Sequence, residues 1–340
     1  MPCSKKRRRS SVLFHRASSL ILFFALLSLC SSLAFAEEYF MKANALYDEG
    51  RFKEAVPFYR AAIDEERYEP FAWFNLGNTL VQLKKNEVAL VAYKRTVELL
   101  PSFVKAWVLL GDLYYIGEDI GSAIASYQRA IELGEDSDHL HFALGECFLK
   151  SAEYTLAQKH FERALYVNPD RMTAWYGLAD IYEKLGDYEY AVKTLKNAIQ
   201  QTALAGADAH FTISHYYQNM DSLPKALNAM EDGLLLVPQN IPARRYLAQM
   251  YLKANSPWMA IFTLEEGLRY KKENDVLMVD LGQIYFEQKR YDEAFGHFFE
   301  AWKLGNSQGR IGAENVGHVW YNAGDRERAE LIYKRIRERK

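Results

Sequence analysis

Along almost the whole chain, apolar residues return at the three-and-four spacing of an amphipathic helix, and the helical stretches come in pairs parted by a short turn. Residues 174–199, AWYGLADIYEKLGDYEYAVKTLKNAI, predict one such pair, with the break near Gly186. Similar breaks fall near Gly50 and Gly324. Residues 71–80, FAWFNLGNTL, place Gly77 inside a helical segment, where glycine costs about 1 kcal/mol relative to alanine. The same figure returns in KAWVLLGDLYY and in TAWYGLADIYE, so the cost is incurred on a schedule.

That schedule has a period of 34 residues. Blocks start at 36, 70, 104, 138, 172, 207, 241, 275 and 310 and fill the chain to its end. Position 20 is alanine in every block, from Ala55 to Ala329. Position 8 is always small, as in Ala43, Gly77, Gly111, Ser214 and Gly317, and position 27 is small except at Thr96 and Ile336. Rings alternate with these small residues: Tyr114, Phe148, Tyr182 and Tyr251 at position 11, and Tyr59, Tyr93, Tyr127, Phe161, Phe298 and Tyr333 at position 24. Such residues predict close backbone approach and gap filling, a core and not a catalytic set. Pro224 and Pro257 suit the start of a second helix, and Pro101, Pro169 and Pro238 the block ends. Pro57, a turn or more inside a second helix, predicts a kink or a late start there.

The set Trp73, Leu76, Gly77, Ala89, Tyr93 and Pro101 resembles the tetratricopeptide repeat (TPR). Position 4 departs from that pattern at His141, His210 and Arg244. The resemblance implies an all-α fold, a right-handed superhelical solenoid of about nine helix-turn-helix repeats over residues 37–340. The last helix, 325–340, carries Lys334, Arg335, Arg337, Arg339 and Lys340 and reads as a charged cap.

The first 36 residues stand outside the period. Lys5 to Arg9 form a basic head, Leu20 to Leu29 an apolar run, and Ala34-Phe35-Ala36 a small-residue end. This predicts a secretory signal peptide cleaved after Ala36, with an uncleaved N-terminal anchor as the alternative. Export to a bacterial periplasm is the expected localisation. Without this segment 36 basic residues face 44 acidic ones, a net charge of −8 that disfavours nucleic acid as a partner. Only Cys147 remains of three cysteines, so no internal disulfide forms, and no apolar run past residue 36 is long enough to span a membrane.

By the same resemblance, positions 2, 5, 6, 9, 12 and 13 of each first helix face a concave groove. They supply the candidate partner-binding residues Phe40, Asn44, Tyr47, Phe74, Asn75, Asn78, Lys105, Asp112, Tyr115, Phe142, Glu146, Tyr176, Asp180 and Phe211. Rings give contact area at low entropic cost, amides hydrogen-bond a strand, and the acids select charge. Asn44, Asn75 and Lys105 fall at three places of a carboxylate clamp known in the family, but Phe40 and Leu109 occupy the two remaining cation places. Neither His139 with His141 nor His210 with His215 has the spacing to share a helix face, and no metal site, phosphate loop or nucleophile elbow is present. The expectation is a non-enzymatic scaffold without metal or cofactor, binding a protein or extended peptide. A structural subunit of an envelope machine that binds through its convex face, and a small-ligand or short-peptide binding protein, are the alternatives.

Overall fold

The computed structural model describes residues 37–64 and 69–338, and among them all regular structure is helical, in 18 helices. The leader, residues 65–68, and Arg339 with Lys340 lie outside the described residues. The chain divides into two units at Val167 and Asn168, on a connection between two blocks of the period. Each unit is an all-α stack of helix pairs with the architecture of a repeat solenoid.

The first unit contains α1 (residues 37–48), α2 (Phe52–Asp64), α3 (Glu69–Gln82), α4 (Asn86–Leu99), α5 (Val104–Ile116), α6 (Ile120–Glu132), α7 (Asp138–Lys150) and α8 (Tyr154–Val167). The second contains α9 (Met172–Lys184), α10 (Tyr188–Gln201), α11 (Ala207–Asn219), α12 (Leu223–Leu236), α13 (Ile241–Lys253) and α14 (Pro257–Tyr270). It ends with α15 (Asp275–Glu287), α16 (Tyr291–Lys303), α17 (Ser307–Asn322) and α18 (Arg326–Glu338). Within a unit, each odd-numbered helix packs on the even-numbered helix after it.

Small residues set the helix-to-helix distance. All nine alanines at position 20 are 0% exposed, so a larger side chain there would have to displace a neighbouring helix. At position 8 the close neighbour is a ring of the same repeat: a Cβ on Gly77 would stand 2.5 Å from the Tyr93 ring, and one on Gly111 2.5 Å from Tyr127. Thr96, an exception to the small rule, is fully buried and returns its hydroxyl to the Ala92 carbonyl at 3.0 Å, so no polar group is orphaned.

Every first helix ends through a residue with positive φ at position 15: Gly50, Gly186 and Gly324, but also Lys84, Glu118, Ala152, Asp221, Asn255 and Lys289. The next N–H then bonds five residues back, as from Lys85 to Leu80 and from Glu153 to Phe148, which closes the helix with a Schellman motif. Pro57 neither delays α2 nor stops it, contrary to the late start expected from the sequence, because the helix runs from Phe52 to Asp64 through the proline. Lys53, whose carbonyl loses its partner, is exposed with Pro57, while Ala55 and Tyr59 bury the opposite face, so water can reach the freed acceptor.

Candidate functional site

The face of the first unit made by α1, α3, α5 and α7 carries most of the candidate residues, over a polar floor that repeats with the chain. Tyr59 donates its phenol proton to Asn44 Oδ1 at 2.7 Å, Tyr93 to Asn78 Oδ1 at 2.6 Å, and Tyr127 to Asp112 Oδ1 at 2.7 Å. Each bond spans 15 residues, from position 24 back to position 9. Burial drives the pKa of all three phenols upward, and the Asp112 carboxylate raises that of Tyr127 further, so they remain donors. Asn75 Nδ2 adds a bond to Asn44 Oδ1 at 2.9 Å, which ties α3 to α1. The sequence presents Asn44, Asn75 and Asn78 as amides for a partner; the structure also gives them this duty inside the fold. What they still offer is the second half of each group, the Asn75 carbonyl and the Asn44 and Asn78 amide protons.

Above this floor an open cavity of about 500 Å³ is lined by Phe40, Phe71, Phe74 and Phe103, with Asn75, Ser102, Val104 and Lys105. The Phe74 and Phe103 ring centres lie 4.6 Å apart, and those of Phe71 and Phe103 5.7 Å apart. Phe40 and Phe74 also pack on the buried Tyr59 and Tyr93, which holds both rings in place at the cavity wall. Phe71 is 46% exposed, and Lys105 is exposed at the rim. Four rings, one amide and one cation therefore meet in one place. Tyr47 is half-buried on Phe52, at 5.3 Å between ring centres. Phe103 was not legible as a site residue, because it lies in the connection before α5, where the groove positions of the period assign no side chain.

Further along this face the polar groups become charged. Asp112 also faces His139 Nε2 at 3.3 Å, and Tyr115 donates to Glu146 at 3.3 Å. Lys150 Nζ lies 4.2 Å from the centre of the Tyr115 ring. Burial and Glu146 push the Tyr115 phenol up to about 12. Phe142 packs half-buried on Phe161, and Cys147 is buried, with its thiol pushed up to about 12 chiefly by that burial.

The remaining candidates belong to the second unit. Tyr176 is half-buried in the cluster of Ile213 and Tyr216, and Asp180 pairs with Lys184 at 3.5 Å. Phe211 is spent on packing: its ring fills the space left by Gly233, where a Cβ would stand 2.4 Å away.

One cluster was missed by reading single helices. His141 Nδ1 meets His160 Nδ1 at 3.0 Å, His141 Nε2 meets Asp136 at 2.9 Å, and Asp136 pairs with Arg163. His141 and His160 are 19 residues apart, on α7 and α8, a relation visible only once helices are paired. Among the described residues, no group of three or more His, Cys, Asp and Glu is placed to hold a metal ion, and no helix is long and apolar enough to cross a membrane.

Comparison with known proteins agrees with this architecture. A tetratricopeptide repeat family model matches residues 40–102 and 142–207, and a second TPR repeat model matches 111–151. The chain is a tetratricopeptide repeat protein. Among solved structures, the C-terminal part of a TPR repeat-containing protein from Cytophaga hutchinsonii is 15% identical over 70% of this chain and 98% of that one, with a TM-score of 0.58. YrrB, described as a TPR protein with an unusual peptide-binding site, is 23% identical over 54% of this chain and 95% of its own, with a TM-score of 0.46. MamA is 22% identical over 49% and 91%, with a TM-score of 0.47. At these identities the likeness shows the fold alone. No curated protein matches the chain.

Proposed function

We propose that the chain is a non-enzymatic interaction scaffold that binds an extended segment of a partner polypeptide on the α1–α3–α5 face of its first unit. The observation that carries this reading is the cavity where Phe40, Phe71, Phe74 and Phe103 surround Asn75 beneath the exposed Lys105. Rings held from behind by buried tyrosines bind without first being ordered, and the Asn75 carbonyl can accept from a peptide backbone. Lys105 favours a partner whose apolar side chain is followed by a carboxylate, by charge complementarity. Asp112 and Glu146, further along, disfavour an acidic continuation of the same segment. The peptide-binding site named for YrrB supports the class of ligand only as an analogy.

The test is selection of displayed peptides on the full chain, followed by titration of the selected sequences against the Phe71→Ala/Phe74→Ala variant. A loss of affinity of roughly tenfold or more, with the melting transition retained, is expected for anchors of this kind. Undiminished binding by a folded variant would place the site elsewhere.

The scaffold is assigned to the bacterial cell envelope on the strength of residues 1–36, with the basic head from Lys5, the apolar run to Leu29 and the Ala34-Phe35-Ala36 end. Mass spectrometry of the chain recovered from its native cell distinguishes the outcomes: a new N-terminus at Glu37 supports cleavage, and a retained leader in the membrane fraction supports an anchor.

A further inference from the structure

In three repeats the side chain at position 4 ties the helix pair to the proline of the connection before it. Trp107 donates to the Pro101 carbonyl at 2.9 Å, Trp175 to Pro169 at 3.0 Å, and Arg244 to Pro238 at 2.7 Å. In the sixth repeat this tie is missing at both ends. His210 stands at position 4, and the preceding connection, Thr202-Ala203-Leu204-Ala205-Gly206, contains no proline. A cleft of about 500 Å³ lies here, lined by residues of α10, α11 and α12.

Lys94 stands near Tyr114 in an equivalent place, 5.1 Å from the ring centre, but in this cleft a second ammonium joins the same ring. Lys196 on α10 and Lys225 on α12 approach the same residue, Tyr217 on α11, with Nζ 5.5 and 5.7 Å from the ring centre. Lys196 also donates to the phenol oxygen at 2.9 Å. On other second helices of the repeats, several cations pair with carboxylates of their own helix, as Arg95 does with Glu98, Arg129 with Glu132 and Arg269 with Glu266. Among the described residues, neither Lys196 nor Lys225 has a carboxylate at ion-pair distance. The corresponding cleft of the second repeat has Val88 and Val91 in the places of Lys225 and Asn228. Two ammonium groups on one phenol without a carboxylate partner leave positive charge uncompensated in the cleft, and a bound anion would offset it. The phenol oxygen already accepts from Lys196, so the Tyr217 proton is left to donate, and the Asn228 amide lines the same space. At the other end Asp232, 4.0 Å from His210, would repel an anion that moved deeper.

We propose that this cleft is a binding site for an oxyanion, a carboxylate or phosphate group held by Lys196, Lys225 and the Tyr217 hydroxyl. It is independent of the aromatic cavity of the first unit. The experiment is calorimetric titration of the full chain, at constant ionic strength, with inorganic phosphate, with succinate and with a short Asp/Glu-rich peptide. Saturable binding of at least one probe is expected, weakened about tenfold or more in Lys196→Gln/Lys225→Gln and severalfold in Tyr217→Phe. The double variant breaks no ion pair and gives up the exposed Lys196–Tyr217 hydrogen bond, so it should stay folded and lose no more than about 1 kcal/mol of stability, and Phe71→Ala/Phe74→Ala should leave this binding unchanged. A peptide roughly tenfold tighter than either small anion would make the natural ligand an acidic polypeptide, and small anions binding as well as the peptide would make it a small acidic or phosphorylated compound. Absence of saturation by all three probes, or equal binding by the double variant, overturns the proposal.

Discussion

Tyr93 joins two requirements of the fold in one side chain. Its ring occupies the space that Gly77 leaves open, and its hydroxyl holds Asn78 at 2.6 Å. The first repeat has Ala43 opposite Tyr59, so a repeat can carry one methyl here, but at Gly77 the Tyr93 ring, 2.5 Å from where a Cβ would stand, would have to shift. Gly77→Leu, by contrast, must displace a ring that is 1% exposed, and it should destabilise the first unit by about 1–3 kcal/mol or more, read as a lowered midpoint in chemical denaturation. Tyr93→Phe keeps the packing and orphans Asn78 Oδ1, a smaller loss of about 1 kcal/mol in the same measurement. That Gly77 serves packing was legible from its recurrence every 34 residues. The duty of Asn78 was not, since a hydrogen bond over 15 residues leaves no mark in helical periodicity. His160 carries a different signal. Burial, then the neighbouring His141 and Lys159, lower its pKa to about 4, below the ordinary histidine value of 6.5. Between these values the unfolded chain binds a proton that the folded chain refuses, so stability is complete above about 6.5 and falls as pH drops toward 4. Replacing His160 by phenylalanine should flatten part of the decline in melting temperature between pH 7 and pH 4.5.

At the scale of the helix, the recurring element is the turn inside each repeat. Three of its nine left-handed positions hold glycine, and these were legible as helix ends. The other six hold Lys, Glu, Ala, Asp or Asn, of which only Asp221 and Asn255 carry any sequence signal for positive φ, although the hydrogen bonding that follows them is the same. Ala152, at φ 59°, bears the steric cost of that conformation without a polar side chain to offset it. Ala152→Gly should therefore stabilise the first unit by about 1 kcal/mol, seen as a rise in its denaturation midpoint. Helix starts were easier to read than helix contents. α5, α7, α9, α11, α13 and α15 each begin at the residue where the period restarts, because a strict repeat pins one end of every unit at once. The late start expected from Pro57 does not occur, and sequence alone does not say that the proline falls on the water-facing side of α2.

At the largest scale, the nine helix pairs of the described residues, in two units, leave the fold assignment to the repeat and the functional question to the surfaces. The aromatic positions Phe40 and Phe74 were readable as a row, and the structure places them in one cavity with Lys105. Phe103 and the lysine-lined cleft of the sixth repeat were not readable, since both depend on residues of one repeat meeting a connection or helix of the next. Phe211, which fits the row by position, belongs to the packing around Gly233. The central claim is that the first unit grips a polypeptide in its aromatic cavity. It is tested most directly by amide chemical shifts of the isotope-labelled chain during titration with a selected peptide. Saturable shifts concentrated at Phe40, Phe71, Asn75, Phe103 and Lys105, abolished in Phe71→Ala/Phe74→Ala, are the expected result. Shifts confined to α2, α4 and α6, or to the second unit, would contradict it.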